Sequence, residues 1–174
     1  MNSEAESDYT DFVTHHANAM WRTAYLLCGD RRRAEDATQE ALLRLYRRWP
    51  RLYRKKGMVS YARKVVVSTT LDALRRRSSG ELVGGASYFA AQADPADHVG
   101  RIEDRLMITE ALAGLPDRQR ACVVLRYFDE LSVDETADVL GCRPGTVKSQ
   151  TLRALEKLRT HPALADLDPA ELGA

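Results

Sequence analysis

Apolar residues recur every three or four positions through most of the first half of this 174-residue chain, which is the spacing of one buried helical face. The pattern predicts a helix near the N-terminus, a second over about residues 31–49 and a third over about residues 60–76. Asp30 is placed to cap the second helix, and Pro50 is expected to end it. The side chains predicted to be buried are Phe12, His16, Ala19, Met20, Thr23 and Leu27, then Ala34, Ala37, Ala41, Leu45 and Trp49, then Ala62, Val65, Val66, Thr69 and Ala73.

The same spacing returns in the second half, after a stretch that has no period. Residues 78–100 are rich in glycine, alanine and serine, so we expect a flexible linker there. Two further helices are predicted, one ending at Gly114 and one over about residues 117–128. Their predicted buried side chains are Ile102, Leu106, Thr109, Ala113, Ala121, Val124, Leu125 and Phe128. The expected fold is all-α, with two small helical domains at 1–77 and 101–160 and a short tail at 161–174.

The end of the second domain predicts two helices joined by a tight turn. Ser132 and Glu135 form an S-x-x-E capping box at the start of the first helix, and Gly141 supplies the positive φ that ends it. Residues 143–145 are expected to turn the chain, and Thr146 is expected to open the second helix. The predicted buried seam of that helix is Val147, Thr151, Ala154 and Leu158. The arrangement indicates a helix-turn-helix, and the alternative is a plain helical hairpin with a solvated charged face.

Polar side chains off this seam lie near the N-terminal end of the second helix. That is the part of a helix-turn-helix recognition helix that contacts base edges and phosphates. The residues are Lys148, Ser149, Gln150 and Arg153. The second domain is therefore predicted to bind duplex DNA.

Composition narrows the class of protein. The chain is 44% hydrophobic and 29% charged, and no segment reaches the length of a membrane span. Its acidic, polar N-terminus does not look like a secretory signal. Cys28, Cys122 and Cys142 form no C-x-x-C pair, which favours a reducing compartment over a disulfide framework or a zinc site. We therefore expect a soluble globular protein of the cytoplasm.

Basic residues are concentrated in the first half, although the net charge of the whole chain is only +1. Trp49, Tyr53 and Tyr61 lie among these arginines and lysines, and aromatic rings can stack on unpaired bases while cations hold the backbone. The alternative is that Trp49 and Tyr61 belong to the core and the charges are simply solvated. A protein that binds duplex DNA with one domain and single-stranded DNA with the other would be suited to opening DNA.

Chemistry of the catalytic kind is not indicated. The sequence has no phosphate-binding glycine loop and no H-E-x-x-H motif, and its four histidines are dispersed. Glu35, Asp36, Gln39 and Glu40 share a predicted exposed face beside Leu42 and Leu43, and nothing nearby supplies a pocket for paired catalytic carboxylates. We interpret this face as a docking surface, with ordinary solvated helix as the alternative. The chain is expected not to be an enzyme and to need no cofactor or metal.

The order of these segments resembles the group IV, or extracytoplasmic-function, sigma factors of bacterial RNA polymerase. The segments that carry the resemblance are RTAYLLCGDRRRAEDATQEALLRLYRRW, LDALRRR, LPDRQRACVVLRYFDELSVDETADVLGC and GTVKSQTLRALEKLR. Together they cover nearly everything from Tyr9 to Arg159. The resemblance implies a two-domain, all-helical initiation factor that binds core polymerase, recognises the −35 and −10 promoter elements and assists DNA melting.

The resemblance also assigns residues to each contact. It implies docking on the clamp helices of the largest polymerase subunit by Asp36, Gln39, Glu40 and Leu43. It implies contacts with the −10 element by Arg51, Tyr53, Arg54, Lys55, Lys56, Tyr61, Lys64, Ser68, Arg75 and Arg76. It implies reading of the −35 element by Arg143, Thr146, Lys148, Ser149, Gln150, Leu152 and Arg153. Family members often have an asparagine close to the position of Ser68, so the chain departs from the family pattern there.

Further partners follow from the same resemblance. The helix at 117–128 would meet the flap of the second-largest subunit, and the linker would pass toward the active-site cleft. Family members are commonly held inactive by an anti-sigma factor, so such a protein is a further expected partner.

Two other classes of protein fit part of the sequence. A stand-alone helix-turn-helix regulator would bind duplex DNA without polymerase, usually as a dimer on paired half-sites. An adaptor that does not bind DNA, such as an anti-sigma factor or a polymerase inhibitor, would tolerate loss of Lys148 and Arg153. The basic block of the first domain would have no role in the stand-alone regulator.

Overall fold

The computed structural model describes residues 3–52, 57–78 and 102–162, and every regular element within these ranges is helical. The chain divides into two compact units, Met1–Ala93 and Asp94–Ala174. The helices are α1 (Ser3–Cys28), α2 (Arg31–Leu52), α3 (Met58–Ser78), α4 (Ile102–Ala113), α5 (Asp117–Val123), α6 (Val133–Leu140) and α7 (Pro144–Arg159), with a π-helical turn at Val124–Phe128. The predicted all-α class is confirmed. The predicted linker lies outside the described residues, except for Ser78 at the end of α3.

The first unit is a three-helix arrangement in which α1, α2 and α3 each pack against the other two. Asp30 caps α2 as predicted, because its Oδ1 accepts a hydrogen bond from the backbone N–H of Arg33 at 2.9 Å. All five side chains predicted to be buried on α2 are buried, and Trp49 is only 1% exposed. The interpretation of Trp49 as a core residue is therefore the correct one, and its ring is not available to stack on bases.

Predictions for α1 and α3 were less accurate. Met20, Thr23, Leu27, Ala62, Val66 and Thr69 are buried, whereas Phe12, His16 and Val65 are half-buried. Ala19 is exposed, because the buried face of α1 runs through its neighbours Ala17, Met20 and Ala24. Ala73 is also exposed, because the described side chains from residue 71 onward in α3 include none that is buried.

Pro50 does not end α2, which continues to Leu52 with the proline inside it. A proline in a helix removes one backbone hydrogen bond and costs about 3 kcal/mol. The prediction was wrong because local propensity is outweighed here by tertiary packing, which holds the adjacent Trp49 in the core.

The second unit begins with α4, which ends at Ala113, just before Gly114, as predicted. Ala113 itself is exposed and Thr109 is half-buried, because Ala111 and Leu112 form the buried face of this last turn. Ile102 and Leu106 have no described side chains.

The helix predicted over residues 117–128 consists of α5 and the π-helical turn. Ala121, Val124 and Leu125 are buried in it as predicted. Phe128 is only half-buried, because it is the last residue of the turn and is followed by a short loop that contains the exposed Glu130.

Candidate functional site

The helix-turn-helix is built from strong local signals. At the start of α6, Ser132 Oγ accepts a hydrogen bond from the Glu135 N–H at 3.2 Å, and the Ser132 N–H donates to Glu135 Oε2 at 2.8 Å. Gly141 ends α6 with φ +61°, a left-handed conformation that favours glycine. The predicted capping box and helix end are confirmed.

The second helix begins earlier than predicted. α7 starts at Pro144 with Arg143 as its N-cap residue, two positions before Thr146. Proline suits the first turn of a helix because it has no N–H to leave unsatisfied and its φ is already helical. The prediction that Pro144 and Gly145 belong to the turn between the helices was wrong, because both residues lie in the first turn of α7.

A small apolar cluster fixes the orientation of α7. Its buried residues are Cys122, Ala137 and Val147. Three partly buried residues pack against this cluster: Val133, Leu140 and Cys142. All four seam residues predicted for α7 are buried. Burial raises the pKa of the Cys122 thiol to about 11, so this side chain is a neutral core residue at physiological pH. Because the seam is fixed, the opposite side of α7 is also fixed, and it faces solvent.

The residues predicted to read the −35 element lie on or beside that solvent side. Arg143, Lys148, Ser149, Leu152 and Arg153 are exposed, and Thr146 and Gln150 are half-buried. Leu152 is 58% exposed, the highest value among the large hydrophobic side chains described as exposed. The Ser149 hydroxyl donates to the Thr146 carbonyl at 3.0 Å. The surface therefore combines three long cations, three polar side chains and an apolar group on the N-cap and first three turns of one helix.

The described residues predicted to contact the −10 element lie on α2 and α3. Arg51, Lys64, Ser68, Arg75 and Arg76 are exposed. Tyr61 is half-buried, and its hydroxyl accepts a hydrogen bond from Arg48 Nη1 at 2.7 Å. Tyr53, Arg54, Lys55 and Lys56 lie outside the described residues.

Some of these side chains also make contacts within α3. Arg75 forms an ion pair with Asp72, and Ser68 Oγ donates to the Val65 carbonyl at 3.0 Å. The contact between Arg48 and Tyr61 links α2 to α3 and includes an arginine that sequence reasoning did not assign.

The predicted docking residues share one side of α2. Asp36, Gln39 and Glu40 are half-buried, and Leu43 is 44% exposed. The prediction that Leu42 lies beside this face was wrong, because its side chain is buried in the core of the unit. Glu40 Oε1 accepts a hydrogen bond from Arg44 Nε at 2.8 Å within the helix. An exposed leucine beside carboxylate and amide groups has the mixed character of a protein interface.

Sequence reasoning missed a contact at the edge of this surface. The Tyr9 hydroxyl donates to the Leu42 carbonyl at 2.9 Å, and its ring centroid lies 5.1 Å from those of Tyr46 and Trp49. Burial raises the pKa of Tyr9 to about 12. The aromatic residues Tyr9 and Phe12, one turn apart, were the signal in the sequence that pointed to a ring cluster at this end of α1.

Within the described ranges, no group of three or more histidine, cysteine or acidic side chains is placed to hold a metal ion. No helix there is long and apolar enough to span a bilayer.

Two family models match the chain. The model for region 2 of the sigma-70 family matches residues 12–80, which include α2 and α3, and the model for region 4 matches residues 105–158, which include the helix-turn-helix. Each match falls within a different one of the two compact units.

Curated relatives extend the likeness over almost the whole chain. The RNA polymerase sigma-E factor of Streptomyces avermitilis is 33% identical over 165 residues, covering 95% of this chain and 90% of that protein. The ECF RNA polymerase sigma factor SigL of Mycobacterium tuberculosis is 34% identical over 148 residues, covering 83% and 82%.

A solved structure shows the same fold. The sigma factor RpoE of Bartonella quintana, solved with the anti-sigma factor NepR, matches with a TM-score of 0.68 at 20% identity, covering 92% of this chain and 99% of that one. The capped helix-turn-helix, the two region matches and the full-length relatives agree. This chain belongs to the extracytoplasmic-function sigma factors, which direct bacterial RNA polymerase to start transcription at specific promoters.

Proposed function

We propose that this sigma factor works through three separate surfaces. The solvent side of α7 reads the −35 element, the basic side chains of α3 and the end of α2 hold the −10 strand, and the exposed side of α2 docks on the largest polymerase subunit. The observation that carries the proposal is the α7 surface, where a fixed seam leaves Lys148, Gln150 and Arg153 off the core. The domain bounds 1–77 and 101–160 and the linker between them are part of the proposal.

The chemistry of the α7 surface suits the major groove. Arginine and lysine donate to guanine edges and phosphates, and glutamine can make a bidentate contact with adenine. Leu152 supplies an apolar contact for a thymine methyl group. The N-terminus of α7 adds backbone N–H groups and a positive dipole end, which favour a phosphate near Arg143.

The first unit would act after the duplex begins to open. Lys64, Arg75 and Arg76 would neutralise the phosphates of the separated strand, with Ser68 and Tyr61 close to its bases. Tyr53 and its basic neighbours Arg54, Lys55 and Lys56, which lie outside the described residues, would take up an extruded base. Capturing a flipped base offsets the few kcal/mol that unstacking costs. Melting therefore requires no bond to be made or broken by this chain.

Partners other than promoter DNA belong to the same proposal. Core polymerase supplies the clamp helices that meet α2 and the flap that meets α5, so the protein acts in the cytoplasm, where transcription occurs. An anti-sigma factor is a further proposed partner, because the structurally similar RpoE was solved with NepR.

Site-specific crosslinking tests the assignment of the three surfaces. A benzophenone amino acid is placed singly at Leu152, Ser68 and Leu43, which are all exposed. In open complexes with core polymerase, we expect Leu152 to crosslink to −35 DNA, Ser68 to −10 DNA and Leu43 to the largest subunit. Crosslinks from Leu152 to polymerase alone, or from Leu43 to DNA, would overturn the assignment of those surfaces.

A further inference from the structure

The end of α2 contains a helix conflict that the fold has to resolve. Pro50 has no backbone N–H, so the Tyr46 carbonyl loses the donor that a helix would normally provide. The proline ring also crowds that carbonyl. Even so, α2 continues for two more residues and ends at Leu52. Something outside α2 must stabilise its last two turns.

The second turn of α1 contacts the turns of α2 that lead into Pro50. Tyr9 donates its hydroxyl proton to the Leu42 carbonyl at 2.9 Å, and its ring packs edge-on against Tyr46 and Trp49. Asp8 Oδ2 accepts a hydrogen bond from Trp49 Nε1 at 3.2 Å. Two hydrogen bonds and two ring contacts therefore join Asp8 and Tyr9 to the turns that precede Pro50.

These contacts come from outside the family's defining segment. The region 2 match begins at residue 12, so Asp8 and Tyr9 lie before it. The side chains are also close to the surface, because Asp8 is exposed and Tyr9 is half-buried. The core of the unit also contains the fully buried Leu27, Leu45 and Val66, for which no contact with Asp8 or Tyr9 is described.

The stabilised end of α2 carries part of the proposed −10 surface. Arg51 follows Pro50 and is exposed, and Arg48 precedes it and donates to the Tyr61 hydroxyl on α3 at 2.7 Å. A small change in the direction of these two turns would move Arg51 and break the link to Tyr61. The position of both groups thus depends on how the proline-containing turns are held.

We infer that Asp8 and Tyr9 are positioning residues for −10 recognition, which hold the proline-interrupted end of α2 so that Arg51 and the Arg48–Tyr61 contact keep their place. The inference rests on the proposed function of the first unit. It predicts a defect in selectivity at the −10 element, with recognition of the −35 element unchanged.

The test compares ratios of initiation, which do not depend on the fraction of active protein. Holoenzymes carrying the unaltered chain or the double variant Asp8→Ala with Tyr9→Phe initiate on three templates. These are a promoter mapped with the unaltered chain, the same promoter with a substituted −10 base, and the same promoter with a substituted −35 base. We expect the preference for the intact −10 element to fall about fivefold, the factor that one hydrogen bond typically contributes. The preference for the intact −35 element should not change.

Two further variants make the result specific. Asp11→Ala with Tyr25→Phe makes the same chemical changes elsewhere on α1 and should leave both ratios unaltered. Adding Pro50→Ala to the first double variant restores the helical donor, so we expect −10 selectivity to return. If selectivity stays low with Pro50→Ala, the link between Asp8, Tyr9 and the proline is wrong.

The inference and the proposed function fail in different ways. If the unaltered chain starts no transcription at specific sites, the proposed function fails. If the unaltered chain is selective at −10 and the double variant is equally selective, or loses −10 and −35 selectivity together, the positioning role is overturned.

Discussion

Arg120 shows how a single charged side chain can complete a helix end. It is only 8% exposed, and its guanidinium donates to the carbonyls of Leu112, Ala113 and Leu115 at 2.8, 3.0 and 2.9 Å. The last carbonyls of a helix have no partner within it, so the bonds to Leu112 and Ala113 help to satisfy the end of α4. The nearby Asp117 carboxylate, 3.9 Å away, balances part of the charge.

Replacing Arg120 should therefore destabilise the second unit strongly. Arg120→Met keeps most of the volume but removes three hydrogen bonds to backbone carbonyls, so we expect the free energy of unfolding to fall by about 3 kcal/mol. Urea unfolding of the full chain measures this change. Arg118→Met, at an exposed position of the same helix, is the matched control. Equal effects of the two substitutions would contradict the role given to Arg120.

The Tyr9 phenol makes stability depend on pH. Burial raises its pKa from 10.0 to about 12, so the folded state holds the phenol proton more tightly than the unfolded state does. This contribution is complete below pH 10 and is lost as the pH rises from about 10 to about 12. We expect Tyr9→Phe to flatten the fall in stability over that range, measured by thermal unfolding at a series of pH values. An unchanged slope in the Tyr9→Phe variant would argue against the burial of this hydroxyl.

At the scale of elements, local and periodic signals were predictable from the sequence. The Ser132–Glu135 capping box and the α7 seam each need only residues within one or two turns, and both are confirmed. The continuation of α2 beyond Pro50 could not be predicted from such local signals. The contacts of the helix end that contains Pro50 include the hydrogen bond between Trp49 and Asp8, which are 41 positions apart in the sequence. Helical periodicity contains no information about a pairing over that distance.

The polar surface of α7 leads to a prediction about DNA binding. Lys148→Ala and Arg153→Ala should each weaken promoter use, and each should lower the slope of log affinity against log salt by about one unit if it removes a phosphate contact. Holoenzyme binding to a −35 promoter fragment at several salt concentrations measures this slope. Lys157→Ala, exposed in the last turn of the same helix, is the control for loss of charge alone. Unchanged binding and transcription in the Lys148→Ala, Arg153→Ala double variant would remove α7 as the reader of the −35 element.

At the scale of the whole molecule, the sequence predicted the two helical blocks better than the contacts between helices within each block. The blocks, the mixed polar and apolar side of α2 and the basic residues of α3 were all visible as patterns in the sequence. The Arg48–Tyr61 contact and the support from Tyr9 were not, because each depends on how separate helices pack. The assigned contacts with DNA and polymerase stay predictions.

The docking side of α2 can be tested without disturbing the fold. Because Leu43 is 44% exposed and Gln39 is half-buried, Gln39→Ala with Leu43→Ala should leave thermal unfolding nearly unchanged. We expect its affinity for core polymerase to fall about tenfold, the size of effect typical of a residue central to an interface. Val59→Ala removes a similarly exposed apolar group from α3 and should bind normally. Normal binding by the Gln39, Leu43 variant would place the polymerase contact elsewhere.

Transcription in vitro on a promoter library tests the central claim most directly. The purified chain is combined with bacterial core polymerase, and the 5′ ends of the transcripts are sequenced. The account predicts discrete starts that share two upstream elements, and loss of those starts when core polymerase is given without the chain. An absence of specific starts, together with a clear footprint on duplex DNA without polymerase, would contradict the account and indicate a stand-alone regulator.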